Sequence, residues 1–329
     1  MLTQNFGVEL FTVYDSGVGE GGSEVVAHQD GILYVTNGEE DKIDVIDAVT
    51  GTLLFDIPLD GLPDYDGLNS VAVSGDLIAV AVETFPDSEL ADGWVAFYDL
   101  EGRFINAAAV GNLPDMVTFS EDGTMAFSAN EGEPNSEGDP AGSISIIDVT
   151  SINPIDEPLV ETFGFEEFDT EIEALRDAGV RIFPDTPPSI DFEPEYIAEA
   201  GGKLFVTLQE AAAVAVFDLE SKSWESILPL GTQDHSVVPL DANDDGLIDI
   251  QTYENLVGWR MADAIAATEI DGTTYFLTAN EGDDRGDAFV YDAEDAEYDG
   301  DDRGDAARVG DVLEGMASEN YVQYRDEAA

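Results

Sequence analysis

Residues 241–249 carry oxygen-bearing side chains at the spacing that a calcium loop needs. The alternating oxygen positions, the turn glycine and the ninth position are Asp241, Asn243, Asp245, Gly246 and Asp249. Alternating oxygen ligands can wrap around one hard cation while the glycine allows the sharp bend. The twelfth position is Thr252 instead of glutamate, so the usual bidentate ligand is missing. The segment predicts a structural calcium site, and an acidic surface turn is the alternative.

A second group of oxygen side chains recurs at one position of a repeated pattern, just before the first apolar strand of each repeat. Its members are Glu24, Asn69, Asp115, Glu195 and Asp263. If the repeats surround a common axis, these side chains converge at one mouth of a central channel. Carboxylates that converge either bind a cation or repel each other. The register predicts a channel-mouth site for calcium or magnesium, with turn capping by the same residues as the alternative.

The third group follows the second strand of the repeats, in loops that also stand in register. The candidate ligand-loop residues are Asn130, Glu131, Glu133, Glu210, Asn280, Glu281 and Asp283. Loops in register lie on one face, so these side chains and the channel mouth together predict an acidic ligand pocket. Ordinary turn chemistry is the alternative reading of the same residues.

The repeat itself consists of short apolar strands separated by glycine-containing turns. Successive starts are 45 and 46 residues apart, from Glu24 to Asn69 to Asp115, and the next two intervals are 80 and 68 residues. A period in the forties with three or four strands per unit is typical of a β-propeller. The sequence therefore predicts an all-β propeller, and a β-sandwich, which would not explain the repeat, is the runner-up.

The repeats divide a single predicted domain, residues 1–329. Its blades are expected to start near residues 24, 69, 115, 195 and 263, with insertions at 151–192 and 232–260 and an acidic segment at 291–329. The first insertion also predicts a short helix, with Asp169 or Thr170 as its N-cap and Gly179 as its stop signal.

The charge excludes several kinds of partner. The 329 residues include 73 acidic and 11 basic side chains, for a formal net charge of −62. Nucleic-acid binding and docking on anionic lipid both need basic patches, so neither is expected. No apolar run reaches the length of about 18 residues that predicts a membrane span, so direct membrane insertion is not expected.

The composition indicates a folded chain adapted to high salt. Hydrophobic residues make up 43% of the sequence and aromatic residues 9%, which is enough to build a core. Like charge of this size destabilises a compact state in dilute buffer, whereas molar salt screens it. The sequence contains no cysteine, so disulfides, thiolate metal sites and cysteine nucleophiles are excluded.

Several stretches of the sequence resemble one known family. They are residues 113–124 (LPDMVTFSEDGT), 128–134 (SANEGEP), 139–148, 173–183, 193–197, 206–210 and 277–283. On these motifs, the chain is similar to the choice-of-anchor I domains, which are also described as mesenchyme-specific cell surface glycoprotein-like. The similarity covers about residues 8–315. The resemblance implies a seven-bladed extracellular propeller held at the cell surface by varied C-terminal anchors. Members of the family are often fused to phosphatase or nucleotidase modules.

The chain departs from that family in its length. Only about five blades can be counted, so the propeller is either incomplete or closed differently, and a signal and an anchor would lie outside this sequence. The sequence predicts a calcium-stabilised, salt-adapted surface propeller that binds an unknown ligand or protein partner. One alternative is a metal-dependent hydrolase, phosphoesterase-like or lactonase-like, that holds calcium on the channel-mouth carboxylates. Another is a structural component of an envelope layer or filament.

Overall fold

A computed structural model describes most of the chain. The described ranges are 10–19, 22–59, 61–85, 91–134, 138–184, 186–242 and 247–282. Their contacts divide the chain into two compact units. The first unit comprises residues 1–164 and 194–199, and the second comprises residues 165–193 and 200–329.

The described part of the first unit contains three four-stranded antiparallel sheets, each made of four consecutive strands in sequence order. The first sheet has β1 (Val26–Gln29), β2 (Ile32–Asn37), β3 (Lys42–Asp47) and β4 (Thr52–Pro58). The second has β5 (Tyr65–Ser74), β6 (Leu77–Thr84), β7 (Asp92–Asp99) and β8 (Phe104–Asn112). The third has β9 (Pro114–Phe119), β10 (Met125–Asn130), β11 (Ser143–Asp148) and β12 (Val160–Phe163). An up-and-down sheet of this kind is the building block of a propeller.

Strand β6 shows why its run from Leu77 to Val82 is apolar at every position. Its side chains alternate between two faces, as in any strand. Ile78, Val80 and Val82 join the core with residues of the first sheet, such as Ile43. Ala79 and Ala81 join a different core with residues of the third sheet. The second sheet is therefore covered on both faces, by residues of the first sheet on one side and by residues of the third sheet on the other.

The hairpin turn between β1 and β2 forms where an aspartate and a glycine adopt positive φ angles. Asp30 and Gly31 connect β1 to β2 with φ values of 51° and 82°. Two successive residues with positive φ are the mark of the tight turn that matches strand twist, and Asp-Gly adopts it at low cost. This Asp-Gly pair thus marks the end of β1 and the start of β2.

A buried carboxylate on β3 ties the segment before β1 to the first sheet. The Asp44 side chain is fully buried and lies 3.3 Å from the Lys42 ammonium. Its Oδ2 accepts hydrogen bonds from the Tyr14 hydroxyl at 2.8 Å and from the Asn37 amide at 3.0 Å. Burial, followed by the hydrogen bond to Asp44, raises the pKa of Tyr14 to about 12. These contacts offset the cost of burying the charge.

We expect the Tyr14→Phe substitution to lower the free energy of unfolding by about 1–3 kcal/mol at pH 8, since Asp44 loses a charge-assisted hydrogen bond. The folded-state pKa of Tyr14 lies above the unfolded value near 10. The contribution of the hydroxyl is therefore complete below about pH 10 and is lost as the pH rises toward about 12. Urea unfolding of both proteins at pH 8 and at pH 11 checks this prediction. A difference in unfolding free energy between the wild type and the variant that is as large or larger at pH 11 than at pH 8 would contradict it.

The described part of the second unit contains shorter sheets and two short helices. Its strands are β14 (Lys203–Leu208), β15 (Ala213–Asp218), β16 (Ser223–Pro229), β17 (Thr232–Asp234), β18 (Val257–Trp259), β19 (Ala262–Ile270) and β20 (Thr273–Asn280). Strand β13 (Pro194–Ala200) precedes them, and all but its last residue belong to the first unit. Strands β14, β15 and β16 pair antiparallel in sequence order, while β17 with β18 and β19 with β20 form hairpins.

The helix predicted in the first insertion is present, but it begins later than predicted. Helix α1 (Ile172–Ala178) ends at Gly179, which adopts the left-handed conformation. Its N-cap is Glu171, without a side-chain cap. Neither predicted cap, Asp169 or Thr170, holds that position. Asp169 instead accepts hydrogen bonds from the backbone and hydroxyl of Ser189, next to α2 (Pro188–Asp191). The Asp169 carboxylate therefore bonds to a residue distant in sequence instead of capping the helix, as the local sequence had predicted.

The prediction of an all-β chain is confirmed, since the described residues form six sheets and few helices. The remaining helical turns are 3-10 helices at Gly38–Glu40, Val149–Ser151 and Glu166–Phe168. No helix in the described ranges is both long and apolar enough to cross a membrane.

Candidate cation-binding site

Three of the residues predicted to stand in register occupy the same irregular position of their sheets. In the ladder between β9 and β10, Pro114 pairs with Asn130 and Met116 pairs with Ala129, so Asp115 has no opposite residue. The ladder between β5 and β6 skips Asn69 in the same way. Within the second unit, the ladder between β19 and β20 skips Asp263. Such β-bulges bend a strand and redirect a side chain.

At the bulge of the third sheet, carboxylates from three parts of the chain converge. Asp115 belongs to β9, Glu131 follows the end of β10, and Glu195 is the second residue of β13. Each offers a carboxylate oxygen, and these oxygens all lie within 4.8 Å of one another. Glu195 is buried and the other two are half-buried. All three residues belong to the first unit.

Backbone contacts hold these residues beside the third sheet. The Glu131 amide donates to the Leu113 carbonyl at 2.8 Å. At the far end of β13, the Glu199 carboxylate accepts a hydrogen bond from the Glu121 amide, in the turn between β9 and β10, at 2.9 Å. The strand that carries Glu195 is thus tied to the same sheet as Asp115.

The turn after Glu131 requires glycine. Gly132 has a φ of 69°, and a Cβ there would lie 2.9 Å from the backbone of residues 141 and 142. Only glycine combines that conformation with such a close approach. The pair Glu131-Gly132 therefore turns the chain sharply away immediately after presenting the carboxylate.

A neighbouring carboxyl group extends this acidic region along the second sheet. The Asn69 amide donates to the Pro114 carbonyl, next to Asp115, at 3.4 Å. Asn69 also hydrogen bonds to Glu83. Burial raises the pKa of Glu83, the hydrogen bond with Asn69 opposes that shift, and the charge of Asp66 adds to it. Asn69 thus links the Glu83 carboxyl to the backbone beside the converging carboxylates.

Of the three converging residues, Asp115 and Glu195 were predicted at the channel mouth, and Glu131 was predicted among the ligand-loop residues. Of the other register residues, Glu24 lies exposed before β1, and Asn69 and Asp263 sit at the bulges of other sheets. Among the loop residues, Asn130 and Glu210 are buried, while Glu133, Asn280 and Glu281 are exposed. Asp283 lies outside the described residues. The shared channel mouth for all five register residues stays a prediction.

The calcium-like segment 241–249 is described only at its two ends. The Asp249 amide donates to Asp241 Oδ2 at 3.0 Å, so the first and last residues of the segment lie in contact. Asn243, Asp245 and Gly246 lie outside the described residues. The calcium loop therefore stays a prediction.

The sequence placed Glu131 in the same predicted acidic pocket as Asp115 and Glu195, but it did not indicate which of the pocket residues come close together. The chain does carry one signal for this grouping. Asn130 and Asp115 adjoin the same register shift, and Glu131 is the next residue. A bulge cannot be read from the alternation of apolar residues, so the register of β9 had to come from the structure.

Comparison with known proteins gives one family match. The family model of the choice-of-anchor I domain matches residues 24–324. A search of curated proteins found no match.

Some solved structures are similar to parts of the chain. A chain of the nidogen/laminin complex has 13% identity and a TM-score of 0.40, over 63% of this chain and 63% of that one. A protein of unknown function from Bacteroides caccae has 12% identity and a TM-score of 0.40, over 66% and 64%. The computationally designed Ika4 protein has 13% identity and a TM-score of 0.39, over 65% and 99%. The chain spans less than two thirds of the first two.

Proposed function

The chain belongs to the choice-of-anchor I domain family, and we propose that it is an extracellular or cell-surface β-propeller module that calcium stabilises and that binds a ligand or protein partner. The family supports the surface location and the propeller fold. The consecutive four-stranded sheets of the first unit also support the propeller. A seven-bladed ring is the form expected from the family.

The observation that carries the proposal is the convergence of Asp115, Glu131 and Glu195. Two ligands on opposite sides of one calcium ion, each about 2.4 Å from it, are separated by about 4.8 Å. The oxygens of the three carboxylates lie within that distance of one another. Negative charges this close destabilise one another when all are ionised. A divalent cation at their centre converts this repulsion into attraction and links β9, the end of β10 and β13.

The ligand types favour calcium over other metals. The group contains carboxylates and neither histidine nor cysteine, which suits a hard cation. Magnesium needs near-ideal octahedral geometry at about 2.0–2.1 Å, whereas calcium accepts irregular sets of six to eight oxygens. Carboxylates from a bulge, a loop and a separate strand form such an irregular set. Magnesium is therefore the weaker candidate for the same position.

The same coordination chemistry suggests how a partner binds. Three carboxylates supply about three to six of the oxygens that calcium takes, which leaves positions for water or for an oxygen of a ligand. A partner that presents carboxylate or hydroxyl groups can occupy those positions. Basic patches, which a nucleic acid or an anionic membrane would need, are not expected in so acidic a chain.

Calorimetry of the wild-type chain tests the proposal. The protein is stripped of metal with a chelator in 1 M KCl and titrated with CaCl₂ and, separately, with MgCl₂. We expect saturable calcium binding with a Kd of about 1 mM or tighter, the range of extracellular calcium modules. Calcium should bind at least about tenfold more tightly than magnesium. The Asp241→Asn variant distinguishes the two candidate sites. It removes a ligand of the predicted calcium loop and leaves the three converging carboxylates unchanged.

A variant that keeps one calcium equivalent supports the carboxylate site. Absence of saturable heat and of any thermal stabilisation up to about 20 mM calcium, well above that Kd range, would refute the proposal. Binding by the wild type that disappears in Asp241→Asn would assign calcium to the loop and would also refute the carboxylate site.

A further inference from the structure

The Asn130 side chain lies at the centre of a buried hydrogen-bond network in the third sheet. The residue is fully buried. Its amide donates to the hydroxyls of Ser143 at 3.1 Å and Ser145 at 3.0 Å, both on β11. Its Oδ1 accepts from the Ser128 hydroxyl at 3.0 Å. Ser145 in turn shares a hydrogen bond with the Thr162 hydroxyl on β12 at 2.9 Å. Both amide donors and the carbonyl are used, so the network determines the orientation of the side chain.

The backbone of Asn130 adjoins two of the converging carboxylates. It pairs with Pro114 across the ladder, and the next residue on that strand is the bulged Asp115. On its own strand, the next residue is Glu131, whose amide donates to the Leu113 carbonyl. A displacement of Asn130 would therefore change the separation between Asp115 and Glu131.

The packing around Asn130 leaves little room for such a displacement in the native sheet. Gly111 on β8 approaches so closely that a Cβ there would lie 2.9 Å from the Asn130 Cβ and 2.5 Å from the Ser143 hydroxyl. Both contacts are shorter than real Cβ atoms make. The network is thus held on one side by β11 and on the other by β8.

The first sheet contains a matched residue that lacks the carboxylates. Asn37 ends β2, is fully buried, and pairs with Lys42. Its amide donates to Asp44, two residues further along β3, at 3.0 Å. Asn130 likewise pairs with Ser143 on β11, and its amide donates to Ser145, two residues further along that strand. The residue after Asn37 is Gly38, so Asn37 has no carboxylate at the position that Glu131 occupies after Asn130. The carboxylate that its amide does contact, Asp44, is not part of the converging group.

We propose that Asn130 is a positioning residue for the cation site, because its side-chain hydrogen bonds fix the backbone that adjoins both Asp115 and Glu131. This inference rests on the proposed calcium site. It assigns to Asn130 an effect on cation affinity that Asn37 does not have, although both are buried asparagines at the ends of second strands. Groups that orient metal ligands typically contribute 10- to 100-fold to affinity.

Calcium titrations of Asn130→Ala and Asn37→Ala in 1 M KCl test the inference, with thermal unfolding in chelator as the measure of stability. We expect both variants to lose stability without calcium. Asn130→Ala should bind calcium about 10- to 100-fold more weakly than the wild type. Asn37→Ala should keep wild-type affinity within about twofold. If Asn130→Ala does not fold, Ser143→Ala removes a single hydrogen bond and should weaken calcium binding by about two- to fivefold.

Equal calcium affinity in Asn130→Ala and Asn37→Ala would overturn the positioning role. If Asn130→Ala does not fold, wild-type calcium affinity in Ser143→Ala would overturn it instead. Such a result would leave the cation site itself intact, because the wild type would still bind. A wild type that binds no calcium would overturn both the inference and the proposed site. The wild-type titration distinguishes the two failures.

Discussion

Replacing Glu195 with glutamine should weaken calcium binding by at least about tenfold, because the group loses one of its three charges while the buried side chain keeps its volume. At a calcium concentration of 100 times the wild-type Kd, binding stabilises the folded wild type by about 2.7 kcal/mol, and a tenfold weaker variant keeps only about 1.4 kcal/mol. Without calcium the Glu195→Gln variant should be more stable than the wild type, because the substitution removes repulsion between neighbouring carboxylates.

Thermal unfolding with calcium and with chelator measures this reversal. Glu121→Gln is the control, because it removes the same charge from an exposed position of the same unit. The control should leave calcium affinity unchanged. A Glu195→Gln variant that is destabilised equally with and without calcium would show that Glu195 has only a packing role.

A rise in KCl from 0.1 to 1 M, at constant saturating calcium, should raise the unfolding midpoint by roughly 5–15 °C, which corresponds to a few kcal/mol in a domain of this size. The net charge of −62 repels itself in the folded state. The Debye length falls from about 10 Å to about 3 Å over this range, so most of the repulsion between exposed charges is screened.

Glycine betaine at equal concentrations is the control for this experiment, because it is a zwitterion that adds solute without adding ionic strength. Differential scanning calorimetry in the two series gives the midpoints. The KCl series should rise well above the betaine series. Equal shifts in both series, or a lower midpoint in KCl, would contradict adaptation of the surface charge to salt.

Much of the β architecture could be predicted because local chemistry specifies it. The turn at Asp30 and Gly31 needs two residues with positive φ, and few residue pairs provide them. The apolar run of β6 is uninterrupted because both faces of its sheet are covered. Both features depend on neighbouring residues, so the sequence displays them directly.

The site was predicted only in part, because it depends on contacts between distant residues. Asp115 and Glu195 are separated by 80 positions, and the repeat relates them without giving a distance. Glu131 joins them beside the bulge next to Asn130, whose side chain donates hydrogen bonds to buried hydroxyls of β11. The N-cap of α1 differed from its prediction for a similar reason, because Ser189 uses the Asp169 carboxylate.

An anomalous difference map from a crystal grown in saturating calcium shows whether Asp115, Glu131 and Glu195 together hold a divalent cation. We expect a peak with carboxylate oxygens of all three residues about 2.3–2.6 Å away. A map with no peak at these three carboxylates, or with a peak only in residues 241–249, would contradict this expectation.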